Sequence, residues 1–119
     1  IIGPGCVIET GAVIGPRCVL GPANRVRAHA VIVQDTELGA RNDVHPTAVL
    51  GGDPQDRAFK PEVPGRLIIG DDNIFRESVT ISRGTGDAIP TRIGSHCYFM
   101  AASHAGHNVQ MGSHVTLAN

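Results

Sequence analysis

Two imidazoles three residues apart, His104 and His107 in Ser103-His104-Ala105-Gly106-His107-Asn108, are the groups of this chain best suited to move a proton. Imidazole accepts a proton near neutral pH, and a hydroxyl nucleophile needs such a base before it attacks an acyl carbonyl. The spacing alone is a weak signal: two histidines on a polar surface are more often a surface feature, and a metal site asks for further ligands in fixed geometry. A second polar string, Gly51-Gly52-Asp53-Pro54-Gln55-Asp56, offers an amide and two carboxylates, with the chain's only lysine, Lys60, close behind. His96 and His114 are eighteen residues apart, and no chemistry is assigned to them or to His29 and His45.

The elements that must position these groups follow from a six-residue period. Stepping by six from Ile2 gives Ile8, Ile14, Leu20, Val26, Ile32, Leu38, Val44 and Leu50 without a miss. The row resumes at Ile69, Phe75 and Ile81, and again at Ile93, Phe99, Ala105, Met111 and Leu117. A helix would turn each step by about 240° and scatter the row around its axis, given 3.6 residues per turn. A short strand followed by a corner keeps it on one side. The aliphatic residue points inward, as does a small or β-branched residue four places later (Cys18, Ala30, Ala48, Val79, Cys97), and a glycine directly after the aliphatic residue is expected to relieve the corner backbone. Hexads of this kind are the signature of a parallel β-helix. His96 and His114 then fall on an outward face of adjacent coils.

Composition agrees and excludes several functions. With 119 residues, no tryptophan, one tyrosine and three phenylalanines, the core has to be aliphatic. Ten Lys and Arg against eleven Asp and Glu give a net charge of −1, which supplies no field for nucleic acid or an anionic membrane. No apolar run of 18 residues exists and no cationic stretch leads into an apolar one, so neither a transmembrane segment nor a signal peptide is expected and a cytoplasmic protein is. Cys6, Cys18 and Cys97 are odd in number and widely spaced, which fits small thiols in a core better than disulfides or a zinc ribbon. Residues 1–119 are read as one hexapeptide-repeat domain and, because both ends fall inside a hexad, as a segment of a longer chain.

The register breaks twice, at about 52–68 and 84–92. Pro54, Pro61, Pro64 and Pro90 argue against helix or central strand there. Long departures from a rigid solenoid are where function concentrates.

Taken together, Gly-Gly-Asp-Pro-Gln-Asp (51–56), Ile-Gly-Asp-Asp-Asn-Ile-Phe-Arg-Glu-Ser-Val-Thr-Ile-Ser-Arg-Gly-Thr (69–85), and Ser-His-Ala-Gly-His-Asn (103–108) with Leu-Ala-Asn (117–119) closely resemble the family of UDP-N-acetylglucosamine O-acyltransferases. The hexads alone would fit any hexapeptide-repeat protein; the last two strings in this order are far more specific, and the resemblance runs the length of the chain. It implies an all-β, left-handed parallel β-helix of triangular section, three hexads per coil, with two loop excursions. It also implies transfer of a 3-hydroxyacyl group from acyl carrier protein to the 3-hydroxyl of UDP-N-acetylglucosamine, in a cleft between subunits of a homotrimer, at the start of lipid A synthesis. No metal and no organic cofactor is implied. His107 matches the general base and His104 a second histidine of the site. Gln55 and Asp56 match residues that hold the substrates, and Ser82, Arg83 and Asn108 fall in the same substrate-binding strings.

The chain also departs from the family's pattern. Asn108 stands where the best-known members carry an aspartate that orients the base; an amide accepts the hydrogen bond but brings no charge to imidazolium. Ser82 replaces a histidine, and Ala58 a lysine, leaving Arg57 or Lys60 as substitutes. The sequence ends before the coil that supplies the family's oxyanion donor and before its helical C-terminal domain. A non-catalytic β-helical scaffold, or a catalytically incomplete fragment, is therefore the alternative expectation. A zinc site like that of the β-helical carbonic anhydrases is weaker still, since His-x-x-His is not their ligand spacing.

Overall fold

The computed structural model describes residues 1–119 as strands and corners, with no helix. In chain order the strands are β1 (Val7–Ile8), β2 (Val13–Ile14), β3 (Val19–Leu20), β4 (Arg25–Val26), β5 (Val31–Ile32), β6 (Thr36–Leu38), β7 (Asp43–Val44) and β8 (Val49–Gly52). They continue as β9 (Leu67–Ile69), β10 (Ile74–Phe75), β11 (Thr80–Ser82), β12 (Thr91–Ile93), β13 (Tyr98–Phe99), β14 (His104–Ala105), β15 (Gln110–Met111) and β16 (Thr116–Leu117). Every third strand pairs, always in parallel. The first face is β1-β4-β7-β10-β13-β16, the second β2-β5-β8-β11-β14, the third β3-β6-β9-β12-β15. Regular coils repeat every eighteen residues, with Val7 opposite Arg25, Val13 opposite Val31 and Val19 opposite Glu37.

Strands of two residues hold no structure by themselves, so each coil's backbone is completed by the next. The hexad row forms the centre of the prism: Leu20, Val26, Ile32, Leu38, Val44, Leu50, Ile69, Phe75, Ile81, Ile93, Phe99 and Ala105 are all buried. Each large side chain in that row contributes roughly 1.5–3 kcal/mol of burial. Phe75 and Phe99 stack with their centroids 4.9 Å apart. Cys18 and Cys97 are buried free thiols and Cys6 is half-buried.

All but one of the corner glycines serve a different purpose from the one expected. Gly51, directly after Leu50, does take a left-handed φ of 80°, but the other left-handed torsions fall three places after the aliphatic residue, and twelve of those positions are not glycine, with φ between 47° (Asp35) and 64° (Thr47, Asn108). Gly3, Gly21, Gly39, Gly70, Gly94 and Gly112, directly after the aliphatic residue, form a column at the edge between the third and first faces, and none has a left-handed φ. Their role is steric: a Cβ on Gly94 would stand 2.6 Å from the carbonyl carbon of Gly112. The coils at this edge touch backbone to backbone.

The same edge holds a ladder of buried asparagines. Asn24 Nδ2 donates to the carbonyls of Gly21 and Gly39, and Asn24 Oδ1 accepts from Asn42 N–H and Nδ2. Asn42 repeats the pattern toward Gly70 and Asn73, and Asn73 toward Gly94 and the N–H of Cys97. Each rung thus satisfies corner groups that water cannot reach.

Both breaks in register lie at one place in cross-section. Val49 is opposite Thr80, thirty-one residues on, so the segment between β8 and β9 adds thirteen to a coil of eighteen. Thr80 is opposite His104, twenty-four on, so the segment between β11 and β12 adds six. Each passes from the second face to the third, and so does the chain between β14 and β15, which carries His107 and Asn108.

Candidate functional site

The edge between the second and third faces therefore gathers three stretches that are remote in sequence: the long excursion, the short excursion, and the His107–Asn108 corner. Asn108 takes the corner's left-handed torsion, φ 64°, which asparagine accepts more readily than most residues. Its backbone N–H donates to Thr91 Oγ1 at 2.8 Å, and its Nδ2 donates to the Ile89 carbonyl at 2.7 Å. Asn108 Oδ1 accepts from Thr85 Oγ1 at 3.0 Å and lies 2.7 Å from His107 Nδ1. His107 is half-buried, and its Nε2 has no partner in the chain.

His104 lies on the second face, opposite Thr80. Its Nδ1 is 2.8 Å from Thr80 Oγ1 and 3.1 Å from the Thr80 carbonyl, which can only accept, so the proton sits on Nδ1 and Nε2 is left open. Both imidazoles are thus tethered through one nitrogen and free at the other. Beside them, Thr85, Gly86, Ala88, Ile89 and Asn108 line a shallow recess of about 260 Å³. A larger hollow of about 520 Å³ lies at the first coil, lined by Ile1, Ile2, Ile14, Gly15, Arg17, Cys18 and Val19. It is mainly aliphatic and holds none of the candidate groups.

The long excursion presents Gln55 and Asp56 to solvent; Asp56 Oδ1 accepts the N–H of Ala58, and neither residue bonds to the histidines. Arg83 and Ser82, expected among the substrate-binding strings, are both enclosed within the chain. Arg83 is 0% exposed, and all five of its N–H donors are taken. Nε and Nη2 reach Asp53 Oδ1 at 3.2 and 3.1 Å, Nη2 also reaches the Pro61 carbonyl, and Nη1 reaches the carbonyls of Val63 and Gly65. The guanidinium also lies over the Phe59 ring at 5.0 Å. It ties the long excursion to the prism. Ser82 is 4% exposed, closed in where β11 meets Gly52 across a register shift. Within the chain, no three His, Cys, Asp or Glu side chains gather as a metal site would need.

No family model matches the chain. It is 45% identical over 114 residues to the acyl-[acyl-carrier-protein]--UDP-N-acetylglucosamine O-acyltransferase of Syntrophobacter fumaroxidans, covering 95% of this chain and 44% of that one. The Campylobacter concisus enzyme of the same name is 40% identical over 121 residues, covering 100% and 46%. A crystal structure of the Acinetobacter baumannii relative superposes with a TM-score of 0.76 at 32% identity, covering 98% of this chain and 47% of that one. The chain belongs to the UDP-N-acetylglucosamine O-acyltransferase family. Its prism is accordingly a left-handed β-helix. It spans about half the length of the curated relatives it matches.

Against the background of the acyltransferase family, three threonines were not legible as site residues. Thr80, Thr85 and Thr91 hold His104 and Asn108 in place. A usable signal did exist: Thr80 and His104 share a rung once the inserted six residues are removed from the count.

Proposed function

We propose that this chain carries the acyl-transfer centre of an O-acyltransferase that moves a 3-hydroxyacyl group from acyl carrier protein to the 3-hydroxyl of UDP-N-acetylglucosamine, in the cytoplasm, as a homotrimer. The observation that supports it is the meeting of His107, its amide partner and both excursions at one edge of the prism. His107 Nε2 takes the proton of the sugar hydroxyl as that oxygen attacks the thioester carbonyl. The tetrahedral intermediate then collapses, the C–S bond breaks, and the imidazolium returns the proton to the departing thiolate. A positioned base of this kind contributes about 10²–10⁴-fold, and alignment of the two substrates supplies much of the rest. His104, Gln55 and Asp56 are the substrate-binding groups of this reading, because each keeps exposed polar atoms free for a ligand. No helix is long and apolar enough to cross a membrane, in keeping with soluble substrates.

The test is His107→Ala in the full-length protein. Acyl transfer falls by at least 10²-fold while UDP-N-acetylglucosamine still binds. Activity within tenfold of wild type overturns the assignment. A second reading, a scaffold without catalysis, gains support if neither UDP-N-acetylglucosamine nor acyl carrier protein binds the unaltered protein.

A further inference from the structure

The amide of Asn108 has two orientations that differ by half a turn, and they have opposite consequences for His107. With Oδ1 toward the imidazole, Nδ1 must carry the proton and Nε2 is the acceptor. With Nδ2 toward it, the amide donates, Nδ1 gives up its proton, and the ring's hydrogen moves to Nε2, where it blocks a base. Nothing in His107 decides between these states, and the deciding groups lie on the short excursion. The Ile89 carbonyl, 2.7 Å from Asn108 Nδ2, can only accept, so a flipped amide would set two oxygens against each other. The Thr85 hydroxyl, 3.0 Å from Oδ1, donates to the unflipped oxygen; as a hydroxyl it could also accept from a flipped amide, so its part is to hold the amide against the Ile89 carbonyl, which makes the choice. Thr91 Oγ1 and Gln110 Nε2 keep this arrangement in register, the first by accepting the Asn108 N–H and the second by donating to the Pro90 carbonyl at 2.7 Å.

We propose that Thr85 is a positioning residue: it holds the Asn108 amide against the Ile89 carbonyl, which accepts only from Nδ2, so that His107 keeps its proton on Nδ1 and presents Nε2 as the only accepting nitrogen. The inference rests on His107 acting as the base, but its own content is the tautomer, which can be read without activity. A neutral partner makes such a lock necessary. A carboxylate accepts through either oxygen and needs no orientation, whereas an amide works in one orientation only.

The experiment uses the full-length protein with Thr85→Val, which keeps the shape and removes the hydroxyl, and Thr85→Ser, which restores it. Nitrogen chemical shifts of the His107 ring, assigned by their loss in His107→Gln, are read at a pH where the ring is neutral. Wild type and T85S show the Nδ1-protonated tautomer; T85V shows a mixture, and its kcat falls by about fivefold with KM little changed, the size expected for one hydrogen bond acting through a neighbour. Unchanged shifts in a folded T85V refute the proposal, as does a mixture in wild type. A tautomer shift in T85V with full activity in His107→Ala would keep the lock and discard the catalytic role of His107, so the two claims fail separately.

Discussion

Replacing Arg83 with methionine tests whether the most deeply buried charge of the chain is an anchor or a ligand. The variant keeps an unbranched apolar stem of similar length and deletes every donor. The carbonyls of Pro61, Val63 and Gly65 lose their partner, at about 1 kcal/mol each for neutral acceptors that can return to water only if the excursion lifts. The contact over Phe59 adds about 1 kcal/mol. Asp53 contributes little, because its side chain is already 52% exposed and rehydrates in place. The total, about 4 kcal/mol, falls on the docking of residues 53–66, and not on the coils. Trypsin reads this directly. Arg57 is exposed on the excursion, whereas Lys60 precedes Pro61 and resists cleavage. If cleavage after Arg57 requires the excursion to open, its rate follows the open population and rises by up to about 10³-fold in R83M, while the urea midpoint of the prism moves far less. Cleavage at the wild-type rate, an unchanged midpoint and lost UDP-N-acetylglucosamine binding would together show that the guanidinium contacts substrate and that the anchoring argument is wrong.

Two further outcomes follow from the coils themselves. Asn42→Leu strands the buried N–H of Asn73 and leaves Asn24 Oδ1 and the Gly70 carbonyl short of a donor, so urea denaturation should register a loss of about 3 kcal/mol, and a loss below about 0.5 would remove the ladder from the account of stability. Acid should loosen the prism. Glu9, Asp35, Asp43 and Asp72 are held below the usual carboxylate range first by hydrogen bonds from Arg25, Arg17, Arg27 and Arg41, and Glu77, bound by its own backbone N–H and then by His45, lies at about 2. Because the unfolded chain binds these protons more readily, the stabilisation is complete above about pH 5 and drains away as pH falls through the folded values. Thermal melts between neutrality and about pH 2.5 should therefore drop steadily on the acid side, and a flat profile would contradict the pairing.

Much of the fold was readable because an inward residue every sixth place leaves no other solution; the row from Ile2 to Leu50 and its two later resumptions map onto buried positions in all but the end coils. The asparagine ladder was hidden for the opposite reason. Asn24, Asn42 and Asn73 occupy the inward small-residue position with a polar type, and only the neighbouring carbonyls make that tolerable. The burial of Arg83 was not legible either, because a motif string reports which residues travel together and not which of them are enclosed. The histidine corner could be picked out by residue type, but its orientation depends on Thr85 and Ile89, some twenty residues away along the chain, and no local pattern carries that information.

The column of glycines from Gly3 to Gly112 also limits how such a molecule can change. Where successive turns meet without room for a methyl group, an inserted residue has nowhere to go, so that seam behaves as a closed spine along the whole length of the prism. Both of this chain's insertions are found at a different seam, the one between the second and third faces. A lineage built on this scaffold would then remodel its chemistry from a single side, leaving the opposite seam to carry the architecture unchanged.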